Sequence, residues 1–133
     1  MAAVVADTHA AVWYLANSPR LSPVAARALD EASAAGDSIL IPSIVLVELT
    51  YLVEKGRLPS DARKRLVEAL SHVDGPYELA PLDAGVADSV ELIDRNLVPD
   101  MPDRIIAATP LCLGAALISR DRKIRSSKTQ TIW

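Results

Sequence analysis

The sequence predicts an α/β protein: a central, mainly parallel sheet of four to five strands, covered by helices on both faces. Three short runs, "AAVVA" (2–6), "SILI" (38–41) and "AALIS" (115–119), are apolar apart from a terminal Ser38 and Ser119 and do not alternate, as in strands buried on both sides. Between them lie longer segments with apolar residues at helical spacing. Such β/α alternation requires crossovers, and crossovers make neighbouring strands parallel. At 133 residues, half of them apolar, the chain can enclose one core. A single domain over 1–133 is expected, since no repeat, low-complexity tract or linker divides it.

The elements follow in order. After the first run, Asp7-Thr8 is a helix start. Ser22-Pro23 supplies an N-cap and a first helical residue, and Gly36 a stop. Pro42-Ser43 opens a helix that Gly56 closes. "SDARKRLVEALSHV" (60–73) is a helix capped by Ser60. After Gly75-Pro76, "YELAPL" (77–82) forms a short strand. Residues 83–96 are helical, with Val86, Val90 and Ile93 on one stripe. "VPDMPD" (98–103) is a turn whose last residue, Asp103, caps a helix from Arg104 to Gly114, with Pro110 producing a kink or an early stop. Arg120-Asp121 ends the strand at 115–119, and "TQTIW" (129–133) adds an edge strand.

Bulk properties exclude several classes. A lone cysteine, Cys112, rules out an intramolecular disulfide and fits a reducing, cytoplasmic setting. No apolar stretch approaches the ~20 residues of a membrane span, and the N-terminus lacks a basic signal-peptide region, so no membrane association is expected. The net charge of −3 speaks against coating nucleic acid by bulk attraction, yet ten of the fourteen basic residues fall within 55–65 and 120–128. These are either two solvated faces or a phosphate-gripping rim around an acidic centre. With no Phe, base stacking is expected to contribute little.

One residue breaks the apolar pattern. In "PSIVLVELTYLVEKG" (42–56), Glu48 has Ile44, Val45, Tyr51 and Leu52 as its helical neighbours. A carboxylate buried there needs a partner, a proton or a metal ion. Asp7, Asp103 and Asp121 join it if strand ends and helix starts gather at the carboxyl edge of the sheet, where such folds bind ligands. Asp7 and Asp103 taken singly are helix caps, and Asp121 a surface ion pair. Four acids together repel one another unless a cation sits among them, and carboxylates with water suit Mg²⁺ or Mn²⁺. His9, His72 and Cys112 make no zinc set, and no glycine-rich nucleotide loop or G-x-S-x-G elbow is present. His9, Ser43 and Ser119 are read as surface, capping or hydrogen-bonding residues rather than as a base or nucleophiles.

"VVADTHAAVWYL", "IPSIVLVEL", "MPDRIIAAT", "ALISRDRKI" and the closing "QTIW" resemble, in order and over nearly the whole chain, the VapC-type toxins of the PIN-domain family. The resemblance implies a three-layer α/β/α sandwich and an Mg²⁺- or Mn²⁺-dependent endoribonuclease whose acids, catalytic and metal-holding, are Asp7, Glu48, Asp103 and Asp121. Asp7 and Asp103 would be the most direct ligands. Ser119, two residues before the last acid, matches a Ser/Thr position of the family, and Thr8 is its expected counterpart beside Asp7 as a supporting hydrogen-bond donor. Arg120, Arg122 and Lys123 would hold RNA, with tRNA or rRNA as substrate. A small VapB-type antitoxin blocking the site and a homodimer are the implied partners, with Val12, Trp13 and Leu15 offering an apolar face. Two positions depart from the pattern: His9 replaces a frequent Asn, and Pro110 a small residue. The alternatives are a PIN-like module that binds RNA or protein without cleaving, and a DNA nuclease or phosphatase on a related sheet.

Overall fold

A computed structural model describes residues 3–133. Ala2, expected to begin the first strand, lies outside the described residues. The chain forms β1 (Val4–Ala6), α1 (Thr8–Leu15), α2 (Pro23–Ala34), β2 (Ile39–Pro42), α3 (Ser43–Glu54), α4 (Ala62–Ser71), β3 (Tyr77–Ala80), α5 (Ala84–Ser89), a 3₁₀ turn (Val90–Leu92), α6 (Met101–Leu113), β4 (Ala116–Ile118), α7 (Arg122–Arg125) and β5 (Thr131–Ile132). The five strands pair in the order β3-β2-β1-β4-β5, every pair parallel.

The apolar runs became central strands for the expected reason. Successive residues of a strand point to opposite faces, yet Val4, Val5 and Ala6 are all buried, as are Leu117 and Ile118, so both faces are covered. Ala10, Leu29, Val45, Leu49, Leu66 and Ile106 close the core from the helices. At roughly 1.5–3 kcal/mol for each fully buried large aliphatic side chain, this burial is the main stabilising contribution.

Several local expectations are corrected. The helix expected over 60–73 begins at Ala62, and Asp61, not Ser60, precedes it; Asp61 makes no side-chain cap and pairs instead with Arg65 at 3.0 Å. The segment 83–96 stays α-helical only to Ser89 and tightens to a 3₁₀ turn over Val90–Leu92, where the Ile93 N–H donates to the Val90 carbonyl at 3.1 Å. Arg104 reaches from α6 and donates to the carbonyls of Val90 and Ile93 at 3.0 and 2.8 Å, holding this bend against α6. α6 starts at Met101, capped by Asp100, so Asp103 lies in its first turn rather than at its cap. The helix continues through Pro110 to Leu113, where Gly114 ends it in the left-handed conformation (φ 67°). α7 was not anticipated. Of the apolar face expected at Val12, Trp13 and Leu15, the first two are core residues and Leu15 is half-buried.

Candidate active site

β2 and β3 leave β1 on one side, β4 and β5 on the other, so the order reverses beside β1. In parallel α/β sheets the crevice at that reversal, beyond the carboxyl ends, is where ligands bind. Ala6 pairs with Ile118, and the Asp7 N–H donates to the Ile118 carbonyl at 3.2 Å. Asp7 thus comes level with Ser119, two residues before Asp121. Asp7 also caps α1, accepting from the Ala10 N–H at 2.9 Å. Asp121 caps α7 through one oxygen, which accepts from Lys123 and Ile124. Asp7 was read as a cap or a site residue and Asp121 as a surface ion pair or a site residue; both are caps whose carboxylates also line the cleft, and Asp121 makes no ion pair among the described residues.

Glu48 and Asp103 enter from the neighbouring helices α3 and α6. All four acids line one cleft of about 370 Å³. Glu48 is half-buried rather than buried, because the surface of α3 around it is open, with Tyr51 58 % exposed. Its orientation is set by Thr8, a residue only 2 % exposed, whose hydroxyl donates to Glu48 Oε1. The Ser119 hydroxyl accepts from the Asp121 N–H at 3.1 Å and favours the charged form of the Asp7 carboxylate beside it, so it serves both acids.

The electrostatics match the crowding. Burial pushes Asp7 above its ordinary value; the Ser119 and Ala10 hydrogen bonds and His9 oppose this, while Asp121 adds to it. Asp103 rises from 3.8 to about 7, first through burial and then through repulsion from Asp100, Asp121, Glu48 and Asp7. Asp100 was missed as a site neighbour. The signal was present: an acid three residues before Asp103 with a proline between them is an N-terminal helix signature.

The donor chemistry suits a hard divalent cation. Negative charge is in surplus, and four carboxylates offer oxygen ligands, with the exposed His9 imidazole the nitrogen ligand among the lining residues. Among the described residues no three His, Cys, Asp or Glu side chains are grouped closely enough to hold a metal ion by themselves. Mg²⁺ keeps several waters and uses few direct carboxylates, so it does not require such a group.

Two cations flank the acids. Arg120 lines the cleft, and so does Arg57. Arg57 is brought there by Gly56, whose positive φ (70°) ends α3 and lets the Arg57 N–H return to the Leu52 carbonyl at 2.9 Å. Arg122 and Lys123 are exposed on α7 and do not line the cleft. His9, exposed, and both tryptophans do line it.

The profile of the PIN domain matches residues 4–128. The chain belongs to the PIN-domain family. As a PIN domain it is 29 % identical, over the full length of both chains, to Ribonuclease VapC22 of Mycobacterium tuberculosis. Among solved structures it is similar to VapBC2 from Rickettsia felis bound to a DNA fragment from their promoter, with TM-score 0.68, 20 % identity and 96 % of each chain covered. FitAcB from Neisseria gonorrhoeae follows with TM-score 0.58 and 18 % identity, covering 96 % of this PIN domain and 95 % of that chain. These two likenesses establish the α/β sandwich fold. No helix among the described residues is long and apolar enough to cross a membrane.

Proposed function

We propose that this PIN domain is the toxin of a VapBC-type pair: an Mg²⁺- or Mn²⁺-dependent endoribonuclease that hydrolyses phosphodiester bonds in structured cellular RNA, tRNA or rRNA, and so halts translation and growth. The observation that carries the reading is the gathering of Asp7, Glu48, Asp103 and Asp121 in one cleft, with Asp103 raised to about 7 by burial and then by its acidic neighbours. The full-length similarity to a VapC ribonuclease supports the same reading.

Asp7 and Asp103 would hold the ion most directly, with Glu48 and Asp121 completing its surroundings. Such an ion would supply a lowered water pKa and stabilisation of charge on the phosphoryl oxygens. Thr8 keeps Glu48 aimed into the cleft, and Ser119 keeps Asp7 and Asp121 in register. Arg57 and Arg120 attract the phosphates on either side, which offsets repulsion between RNA and the acidic floor. Arg122 and Lys123 extend this attraction along the neighbouring surface, so binding weakens with salt.

A second, more apolar groove of about 480 Å³ opens from the same cleft, sharing Glu48, Leu52 and Arg57 with it. Val47, Tyr51 and Met101 are exposed along it. A segment of a VapB-type antitoxin lying in this groove would reach the acids and block them. The free toxin is a homodimer in this reading.

Purified protein without a partner, incubated with structured RNA in Mg²⁺, should produce discrete fragments that EDTA abolishes. Single-stranded DNA and a generic phosphomonoester should remain intact. RNA bound but uncut would refute the nuclease reading, and hydrolysis of the monoester would point to a phosphatase.

A further inference from the structure

The chain has two tryptophans, 120 positions apart, and both line the acidic cleft. Strand register brings them together. Ala6 pairs with Ile118 and Ile118 with Ile132, so the next row sets Asp7, Ser119 and Trp133 side by side at the carboxyl edge. The Ser119 N–H donates to the Ile132 carbonyl at 3.2 Å, which fixes that row. Trp13, only 5 % exposed, has its ring centroid 6.0 Å from that of Trp133 and 5.2 Å from that of His9.

Arg120 completes the cluster in an unexpected way. It lies next to Asp121 and across the cleft from three further acids, yet among the described residues the only ion pair is Arg65–Asp61. Its guanidinium instead stands over the Trp13 ring, 4.6 Å from the centroid. An arginine held on an aromatic ring keeps its planar group in place and leaves its outer face free to stack.

We propose that Trp133 and Arg120, supported by Trp13, form a nucleobase subsite. An unstacked base from a single-stranded or looped RNA lies against the Trp133 ring and the Arg120 plane, while its adjoining phosphate faces the acids. Every base has a π-face, so the subsite selects for an extruded base rather than for one sequence. This inference rests on the ribonuclease reading and reverses the expectation that stacking contributes little: the aromatics are few, but they are concentrated at the cleft.

Because both tryptophans are at the cleft, intrinsic tryptophan fluorescence reports on this site alone. In EDTA, the protein is titrated with a short single-stranded oligoribonucleotide and with an abasic ribose-phosphate chain of equal length. The oligoribonucleotide should quench the fluorescence and bind about ten-fold tighter than the abasic chain. Trp133→Leu, which keeps apolar bulk, should remove that preference and leave abasic affinity within about two-fold, and Arg120→Lys, which keeps charge but not the planar group, should also remove the preference. Equal affinity of the unaltered protein for the two chains overturns the subsite without reliance on any variant. So does a base preference that survives both substitutions. Cleavage of structured RNA in Mg²⁺ is measured separately, so cleavage without base preference refutes the subsite alone, and base preference without cleavage refutes the nuclease reading.

Discussion

Replacing Asp103 by Asn should stabilise the ion-free protein while abolishing cleavage. In the folded chain the Asp103 carboxyl is raised from 3.8 to about 7, so ionising it opposes folding. Below the unfolded value of 3.8 both states are protonated and no penalty exists. As pH rises through the interval up to about 7, the unfolded chain ionises first and stability falls; above 7 the penalty is complete. At 1.36 kcal/mol for each tenfold change in the ionisation constant, the ceiling is about 4 kcal/mol. Asp103 is only half-buried, and solvent screening reduces this to roughly 1–2 kcal/mol. For a chain of this length that corresponds to about 3–8 °C in Tm. Thermal melts in EDTA at pH 8 should therefore show Asp103→Asn above the parent, with the gap closing as pH is lowered towards 4. Mg²⁺ should raise the parent's Tm and leave the variant's nearly unchanged. A variant less stable than the parent at every pH would mean that Asp103 is chiefly structural, and would refute the electrostatic account of the cleft.

Cation affinity should depend on pH in the opposite sense. With Asp103 protonated below about 7, Mn²⁺ binding measured by calorimetry should be about ten-fold weaker at pH 6 than at pH 8. Glu48→Gln should weaken the same binding and reduce cleavage, and unchanged values for both would remove Glu48 from the site. Asp100→Ala removes the cap of α6, at about 1 kcal/mol, but also removes a charge that raises Asp103. It should thus lower both Tm and the pH at which Asp103 titrates, the latter followed by NMR. Arg57→Ala should decrease by roughly one the slope of log affinity against log salt for RNA, and an unaltered slope would place Arg57 outside the phosphate path.

Much of the sheet was readable because its strands are short and buried on both faces, so "AAVVA", "SILI" and "AALIS" carry no polar residue to confuse the pattern before their ends. Asp7, Glu48 and Asp121 were legible for a related reason: each is a charge placed beside or within an apolar run. What escaped depends on contacts distant in sequence. Nothing local to Val90 and Ile93 announces that Arg104 will take their carbonyls. The exposed surface around Glu48 was hidden because a helix of Ile, Val, Leu and Tyr looks buried all round, whereas Val47 and Tyr51 face outwards. Trp133 reached the cleft only through the pairing of β5 with β4. The start of α6 was misread by three residues because Asp103 suited a cap as well as Asp100 does.

The reversal of strand order beside β1 has a further consequence for how the protein comes into being. Of the five strands β1 is made before the others, yet its neighbour on one flank is β4, the fourth in chain order. Asp7 must wait for Ser119 and Asp121, and Trp133 follows them by a few residues. The cleft therefore cannot assemble until β4 and β5 have been made, whatever the earlier helices do.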